Sequence, residues 1–209
     1  CGNEGMALSS ETVQMYTLNE RPFGYSWHEW TTRWWKWFLT IPKENHPAYD
    51  ATGEKYAVGQ TDPNTIFLAG TTGGTAKRSI NIVARKAILF PVINFSISYT
   101  ENPNLKTDHE LISFAKSQME DIVKKELSID GLDLAVSENN RVYSPPFDFC
   151  FPVDNIFGFK DGPTRGAGDG YWIFLKPLSP GKHSLKTFGS CMSGRIQIGV
   201  NIELTVRNY

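Results

Sequence analysis

The strongest amphipathic pattern in the chain lies within residues 26–40. Ser26 and Glu29 have the spacing of a capping box, in which a serine and a glutamate three residues later satisfy free amide groups at a helix start. At 100° per residue, the tryptophans of this segment and Phe38 fall near one face, and the charged side chains occupy the other. Pro42 ends the pattern, because the residue before a proline avoids helical backbone. The sequence therefore predicts a helix over this range that packs on an apolar surface.

A second helix is predicted at about 108–127. Thr107 and Glu110 repeat the capping-box spacing at its start. The apolar residues that follow recur every three or four positions, as they do on one face of a helix: Leu111, Ala115, Met119, Ile122 and Val123.

Most other apolar positions alternate with polar ones, which is the pattern of strands with one buried face. The clearest case is the last strand, where even-numbered positions from Ile196 to Val206 are apolar and the positions between them are not. Pro91 lies inside another predicted strand and indicates a sheet edge or a β-bulge, because proline has no amide hydrogen to donate. The predicted strands or strand ends are 66–69, 79–83, 86–93, 95–99, 147–151, 171–175, 182–188, 188–194 and 196–207.

These elements predict a mainly β fold: an antiparallel β-sandwich of the jelly-roll or immunoglobulin-like kind, with two helices packed on it. Strands and helices do not alternate regularly, which argues against a parallel α/β sheet. A length of 209 residues fits one domain, which is assigned to residues 25–209. Residues 1–24 are polar without clean periodicity and are interpreted as a tether or an added strand.

The charge balance excludes a nucleic-acid-binding surface of the usual basic kind. The chain has 21 basic and 22 acidic side chains, a net charge of −1, whereas a nucleic-acid binder needs an excess of lysine and arginine to neutralise phosphates. An aromatic content of 13% is enough to build a folded core. The longest apolar stretch, at 87–93, is far shorter than the ~20 residues of a membrane-spanning helix.

Three cysteines allow at most one disulfide within the chain. Cys1 has the position of a lipid-bearing cysteine in an exported lipoprotein, so any membrane attachment is expected through this residue alone; the alternative is that it pairs with another cysteine. With Cys1 as the anchor, Cys150 and Cys191 are the natural disulfide pair, and their bond would stabilise the fold by ~3 to 4 kcal/mol. Two buried, reduced thiols are the alternative.

The tryptophan-rich helix belongs to a wider resemblance. Its motif, Trp30, Arg33, Trp34, Trp35 and Trp37, is followed by further matching segments that include 50–53, 86–94, 170–172 and 178–183. Together they resemble a family of uncharacterised, exported microbial proteins over most of the chain. Tyr56 and Ile80 stand where many members carry cysteines. The resemblance implies export, localisation in the secreted or cell-surface fraction and a mostly β fold, and it implies no activity.

Local catalytic and metal-binding motifs are incomplete. The segments beginning His28-Glu29 and His109-Glu110 resemble the zinc-protease signature, but each lacks the second histidine one turn later. Spacings typical of a nucleophile elbow, a phosphate-binding loop or structural zinc are also missing, so no metal or cofactor is predicted. Paired carboxylates leave no local signature, and the conceivable acids are Glu29, Asp50, Asp148, Asp154 and Asp169.

The tryptophans favour a buried core, since each ring buries ~150 to 250 Å²; an exposed platform for stacking sugar rings is the alternative. The candidate ligand-binding residues for such a platform are Trp35, His28, Tyr171, Trp172 and His183. The preferred hypothesis is an exported or cell-surface protein without a catalytic centre, whose partner is a surface glycan or another copy of itself, joined by strand addition. The alternative is a glycan-processing hydrolase or lyase that uses paired carboxylates.

Overall fold

A computed structural model describes residues 13–208. Within this range the chain forms two β-sheets and two α-helices, joined by loops and short 3-10 turns. The predicted mainly β sandwich with two packed helices is confirmed. The helices are α1 (Trp27–Leu39) and α2 (Asp108–Gln118). The strands are β1 (Thr65–Phe67), β2 (Gly74–Val83), β3 (Ala87–Ser98), β4 (Ile122–Ile129), β5 (Leu132–Leu134), β6 (Ser144–Phe151), β7 (Gly162–Leu175), β8 (Gly181–Cys191) and β9 (Ile196–Arg207).

The sheets are mixed in direction. One sheet has four strands in the order β1-β3-β7-β6, and the other has five in the order β2-β9-β8-β4-β5. Most neighbouring strands are antiparallel, as expected, but β1 pairs with β3 and β2 pairs with β9 in parallel. β2 and β9 are distant in sequence, and β1 and β3 are linked by a crossover. A hairpin pattern in the sequence therefore cannot predict these parallel pairs.

The four-stranded sheet is covered on both faces, and β7 shows this most clearly. Trp172 and Phe174 point into a cluster shared with α1, whereas Ile173 and Leu175 point into the core between the two sheets. A third, smaller cluster lies under α2, where Leu111 and other helix residues meet the sheet. The protein therefore has layers of helix, four-stranded sheet and five-stranded sheet.

Strand β3 is one strand where the sequence predicted two. The register against β7 shifts between Pro91 and Ile93, which places a β-bulge at the proline. The bulge was expected, but the edge position was not found, because β3 lies between β1 and β7. The extra residue reverses which side chains face each side. Ile88 faces the inter-sheet core before the bulge, and Ile93 faces it afterwards.

Helix α1 begins as predicted: Ser26 and Glu29 form both halves of the capping box. All five of its tryptophans are buried, which supports the core interpretation. Four of them donate their indole N–H groups to backbone carbonyls at 2.8–3.0 Å; the acceptors are Thr17 for Trp27, Pro22 for Trp30, Leu68 for Trp34 and Val58 for Trp37. These bonds tie the helix to three separate segments as well as to the sheet: the residues before the helix, the loop at Val58 and the segment at Leu68.

The second helix is shorter than the predicted 108–127. It ends at Gln118, and residues 122–129 form β4 instead. Met119 is the last member of the helical stripe; beyond it Leu127 and Ile129 alternate with polar residues and are buried against the inter-sheet core. Burial of alternate side chains in a sheet outweighs the helical spacing of Ile122 and Val123. Both residues are β-branched, and β-branched side chains pack well in strands.

The last strand agrees with its predicted alternation from Val200 to Val206, where even-numbered side chains are buried. Ile196 does not follow the pattern and is 42% exposed. The strand predicted at 188–194 ends earlier, at Cys191, because residues 192–194 form a tight turn in which Met192 and Ser193 have positive φ.

The predicted disulfide is not formed in the structure. Cys150 is exposed on β6 of the four-stranded sheet, Cys191 is buried on β8 of the five-stranded sheet, and both are free thiols. Cys1 lies outside the described residues. Within residues 13–208, neither helix has the length and apolar character of a membrane span.

Candidate functional site

Three of the five predicted ligand-binding residues are enclosed by the fold. Trp35 is 3% exposed, Tyr171 is 3% exposed and Trp172 is fully buried. A sugar ring needs an open aromatic face on which to stack, and these rings offer none. The predicted platform of these residues is therefore corrected: they belong to the core, where aromatic rings contribute packing area.

His28, Tyr171 and Trp172 nevertheless share one neighbour, the segment 138–143. The Tyr171 hydroxyl donates to Glu138 at 2.6 Å, and Trp172 Nε1 donates to the Val142 carbonyl at 3.1 Å. His28 Nδ1 lies 2.8 Å from the carbonyl of Tyr143. Burial and the adjacent Glu138 carboxylate raise the pKa of Tyr171 to about 12. These side chains therefore hold a crossover segment in place.

His183 stabilises a turn. Its Nδ1 lies 2.7 Å from the carboxylate of Asp130, and its Nε2 lies 2.9 Å from the carbonyl of Ser179. Burial opposes the charged imidazolium, but these two hydrogen bonds outweigh it and raise the pKa of His183. Both nitrogens are thus engaged, and neither is free to act as a base.

Most of the conceivable catalytic carboxylates already have structural partners. Glu29 caps α1, and Asp50 accepts hydrogen bonds from the amides of Thr52 and Lys55. Asp169 is 1% exposed and binds Arg141 at 2.8 Å, and Asp148 binds Arg165 at 2.9 Å. Asp154 is exposed in the loop after β6.

A groove of about 420 Å³ beside α1 is the candidate site, because it brings charged and aromatic side chains together. We call it the α1 groove. Its walls come from the exposed side of the helix, the loop before β1 and part of β6. The lining residues are Arg33, Lys36, Trp37, Thr40, Gly59, Thr61, Asp62, Phe67, Asp148 and Phe149.

Arg33 and Asp62 form a fixed polar pair in this groove. Arg33 Nη1 lies 3.3 Å from Asp62 Oδ2. The guanidinium carbon of Arg33 lies 3.6 Å above the centre of the Tyr25 ring, which restrains its plane by a cation–π contact. The other carboxylate oxygen, Asp62 Oδ1, accepts hydrogen bonds from the amides of Asn64 and Thr65 at 2.9 and 2.8 Å. Both charged groups are therefore oriented before any ligand binds.

The apolar part of the groove is equally well supported. Trp37 is held through its bond to Val58, and a Cβ atom on Gly59 would lie only 3.3 Å from Trp37 Cδ1. Gly59 also has a φ of +67°, a conformation that glycine adopts most easily. The side-chain amide of Gln60 bonds to both the amide and the carbonyl of Phe67, fixing the loop against β1. A glycine here keeps side-chain bulk away from the tryptophan.

The sequence did not single out the Arg33–Asp62 pair. Arg33 was placed correctly on the polar face of the helix, but Asp62 is 29 residues away and lies in a loop. The usable signal was local: Asp62, Pro63 and Asn64 form a turn sequence in which an aspartate accepts nearby amides.

No family model matches this chain, and no curated protein is similar to it. Two solved structures align with 69% of its length. One is the structure of PbICP-C in complex with falcipain-2, of which 99% is covered at 12% identity with a TM-score of 0.27. The other is the cysteine protease inhibitor EhICP2 from Entamoeba histolytica, of which 96% is covered at 14% identity with a TM-score of 0.25. At these scores the likeness carries no functional information, so the function has to be argued from this chain's own residues.

Proposed function

We propose that this chain is a binding protein that recognises a saccharide in the α1 groove without chemically altering it. The observation that carries this proposal is the preorganised Arg33–Asp62 pair beside the apolar side chains of Trp37 and Phe67. Export to the cell surface is part of the proposal and is supported by the family resemblance of the tryptophan-rich motif. Fractionation of cells that express the full-length protein tests that part.

The groove matches the chemistry of a sugar. A sugar ring presents hydroxyl groups along its edge and C–H groups on its faces. Arg33 offers N–H donors and Asp62 offers a carboxylate acceptor, so together they can bind adjacent hydroxyls. Trp37 and Phe67 are 7% and 6% exposed, so they supply a small apolar part of the wall and no stacking face. A volume of about 420 Å³ falls within the ~300 to 1,000 Å³ range of small-molecule sites.

Binding without turnover is favoured by the environment of the two acids in the groove. Asp62 is paired with Arg33, and Asp148 is paired with Arg165. A glycosidase needs one protonated carboxylic acid, usually in an apolar setting, opposite an ionised carboxylate. Pairing with arginine keeps both carboxylates ionised, which suits the binding of hydroxyl groups better than catalysis by one protonated and one ionised acid.

A glycan array followed by calorimetry on any ligand found tests the proposal. Arg33→Ala and Asp62→Asn are expected to weaken binding at least about tenfold, the effect of losing a hydrogen bond to a charged group. Asp62→Asn retains an oxygen for the amides of Asn64 and Thr65, so the loop remains capped. Lys186→Ala, on the outer face of the other sheet, is the matched control and is expected to leave affinity unchanged.

Three outcomes would overturn the proposal. An array without ligands would remove saccharide recognition, and affinity that is insensitive to both variants would remove this groove as the site. Cleaved products, detected by mass spectrometry after incubation with a bound oligosaccharide, would replace binding by the hydrolase or lyase alternative.

A further inference from the structure

We propose that residues 13–22 form an exchangeable arm, which leaves its own chain and takes the same place on a second copy of this protein. This proposal is independent of the α1 groove. It concerns the edge of β7 near Leu175, where β6 does not reach, since β6 pairs with β7 only between Gly162 and Gly168. The arm covers the exposed backbone of that edge.

The arm pairs with β7 through a single antiparallel β-bridge. The amide of Tyr16 donates to the carbonyl of Phe174, and the amide of Lys176 donates to the carbonyl of Gln14, both at 2.9 Å. Met15 is opposite Leu175 between these two bonds. A pairing of this kind needs only an open sheet edge, which an identical edge on another copy supplies equally well.

The arm's side chains are anchored only to groups that a second copy also offers. The Tyr16 ring packs on Phe174 with 5.0 Å between ring centres. Glu20 binds Lys176 at 3.0 Å, and the carbonyl of Thr17 accepts the indole N–H of Trp27 at 2.8 Å. Each contact joins the arm to the body of the protein, so an exchanged arm forms the same set and loses none of these bonds.

Two surface grooves border the arm. A groove of about 360 Å³ lies between Val13-Gln14 and the turn that contains His183. A second groove of about 460 Å³ separates residues 18–21 from His28 and the segment 141–143. Val13, Met15 and Tyr16 also pack against the large apolar clusters, so a departing arm exposes apolar surface that the identical surface of a second copy covers again.

A strained turn connects the arm to α1. Phe23 has a φ of 52° and a ψ of 29°, the left-handed conformation, and its side chain is 40% exposed. For a residue with a Cβ atom this conformation disfavours the closed form by about tenfold in an equilibrium constant. Short hinges under strain favour domain swapping because an extended hinge relieves the strain in both copies. Gly24, with a φ of 86°, supplies the adjoining flexible position.

Cross-linking between two different variants tests the exchange directly. One copy carries Gln14→Cys and the other carries Lys176→Cys, both in a background with Cys1→Ser and Cys150→Ser. Gln14 and Lys176 are opposite each other in the arm pairing and are accessible. In this mixture the arm pairing brings the two thiols together only when the arm of one copy lies on the other, and the mixture with Lys77→Cys measures collisional oxidation. We expect a covalent heterodimer after mixing at high concentration and oxidation, and none when Lys77→Cys replaces Lys176→Cys.

The hinge gives an independent measurement that does not depend on introduced cysteines. Phe23→Gly removes the strain and the ring, whereas Phe23→Ala removes the ring and keeps the strain. We expect the association constant of the dimer, measured by analytical ultracentrifugation, to be at least about tenfold lower for Phe23→Gly than for Phe23→Ala. A protein that is monomeric at all concentrations would overturn the proposal. A dimer that gives no arm cross-link, or that is equally strong in both hinge variants, would also overturn it.

Discussion

The indole edge of Trp35 rests directly on the backbone of Gly168. A Cβ atom at Gly168 would overlap Trp35 Nε1 and would lie 3.0 Å from Trp35 Cε2. The bulky ring of the tryptophan motif is thus accommodated by a glycine on β7, and the two residues specify how closely α1 approaches the sheet.

Gly168→Ala is expected to lower the free energy of unfolding by about 1 to 3 kcal/mol. The new methyl group must displace the Trp35 ring, which is 3% exposed and has no room to move. Urea denaturation measures the change. Gly70→Ala is the control, because a Cβ at Gly70 meets no atom within 4 Å; equal stability of the two variants would contradict this packing.

Arg78→Met is expected to reduce the free energy of unfolding by about 3 kcal/mol or more. Arg78 is 4% exposed and donates hydrogen bonds to the carbonyls of Asp50, Ala69 and Gly70 at 2.7, 2.6 and 3.2 Å. The substitution leaves these acceptors without their donor inside the protein. Chemical denaturation should show the loss, and Lys77→Met on the exposed face of the same strand should change stability by less than about 0.5 kcal/mol.

Acid should destabilise the protein through His46. This buried ring lies 2.8 Å from the carbonyl of Phe38 through Nε2, and its Nδ1 accepts the amide of Ala48 at 3.1 Å. Burial lowers the pKa of His46 from 6.5 to about 4, although the bond to Phe38 opposes the shift. The neutral ring therefore contributes stability above pH 6.5, and this contribution, roughly 3 kcal/mol at most, is lost as the pH falls through about 4.

Denaturation midpoints measured from pH 7 to pH 4 test this effect. The wild-type protein should lose stability more steeply than His46→Gln, because glutamine at this position does not titrate. Parallel curves for the two proteins would show that the ring is not the acid-sensitive group.

Glu101 should have the opposite pH dependence. Its Oε2 atom is enclosed and has no hydrogen-bond partner among the described residues. Burial raises the pKa of Glu101 from 4.5 to about 7, even though hydrogen bonds with Ser98 lower it. The protonated acid therefore stabilises the fold below pH 4.5, and this contribution disappears as the pH rises through 7.

Glu101→Gln keeps the shape of the protonated acid and cannot ionise. It should be more stable than the wild type by about 2 kcal/mol at pH 8 and nearly equal to it at pH 4.5, as measured by thermal or urea unfolding. Glu54→Gln, at an exposed position, is the control. An equal difference at both pH values would argue against ionisation as the cause.

The sequence predicted those elements whose side chains face two different environments. Helix α1 and β9 each have one buried and one wetted side, so their periods are visible, and the capping box at Ser26 locates the helix start. The boundary after Gln118 was wrong because Leu111, Ala115, Met119 and Ile122 continue a helical spacing across a change of structure. The pairing of β4 with β8 decides that case, and β8 is remote in sequence.

The candidate site was less predictable than the fold. The sequence drew attention to aromatic residues, but the fold buries Trp35, Tyr171 and Trp172. The Arg33–Asp62 pair depends on a loop that folds back onto α1, and no spacing along the chain announces that contact. The predicted disulfide between Cys150 and Cys191 is absent for a related reason. Strand patterns alone do not show which sheet each strand joins, and the two cysteines lie in different sheets.

The double burial of β7 makes one strand the shared wall of two separate apolar clusters. Melting on either side would expose alternate side chains of the same strand, so the helical layer and the sandwich interior should lose their order together. We therefore expect cooperativity: α1 and the two sheets should unfold as a single unit, and a defect in the tryptophan layer should also destabilise the five-stranded sheet.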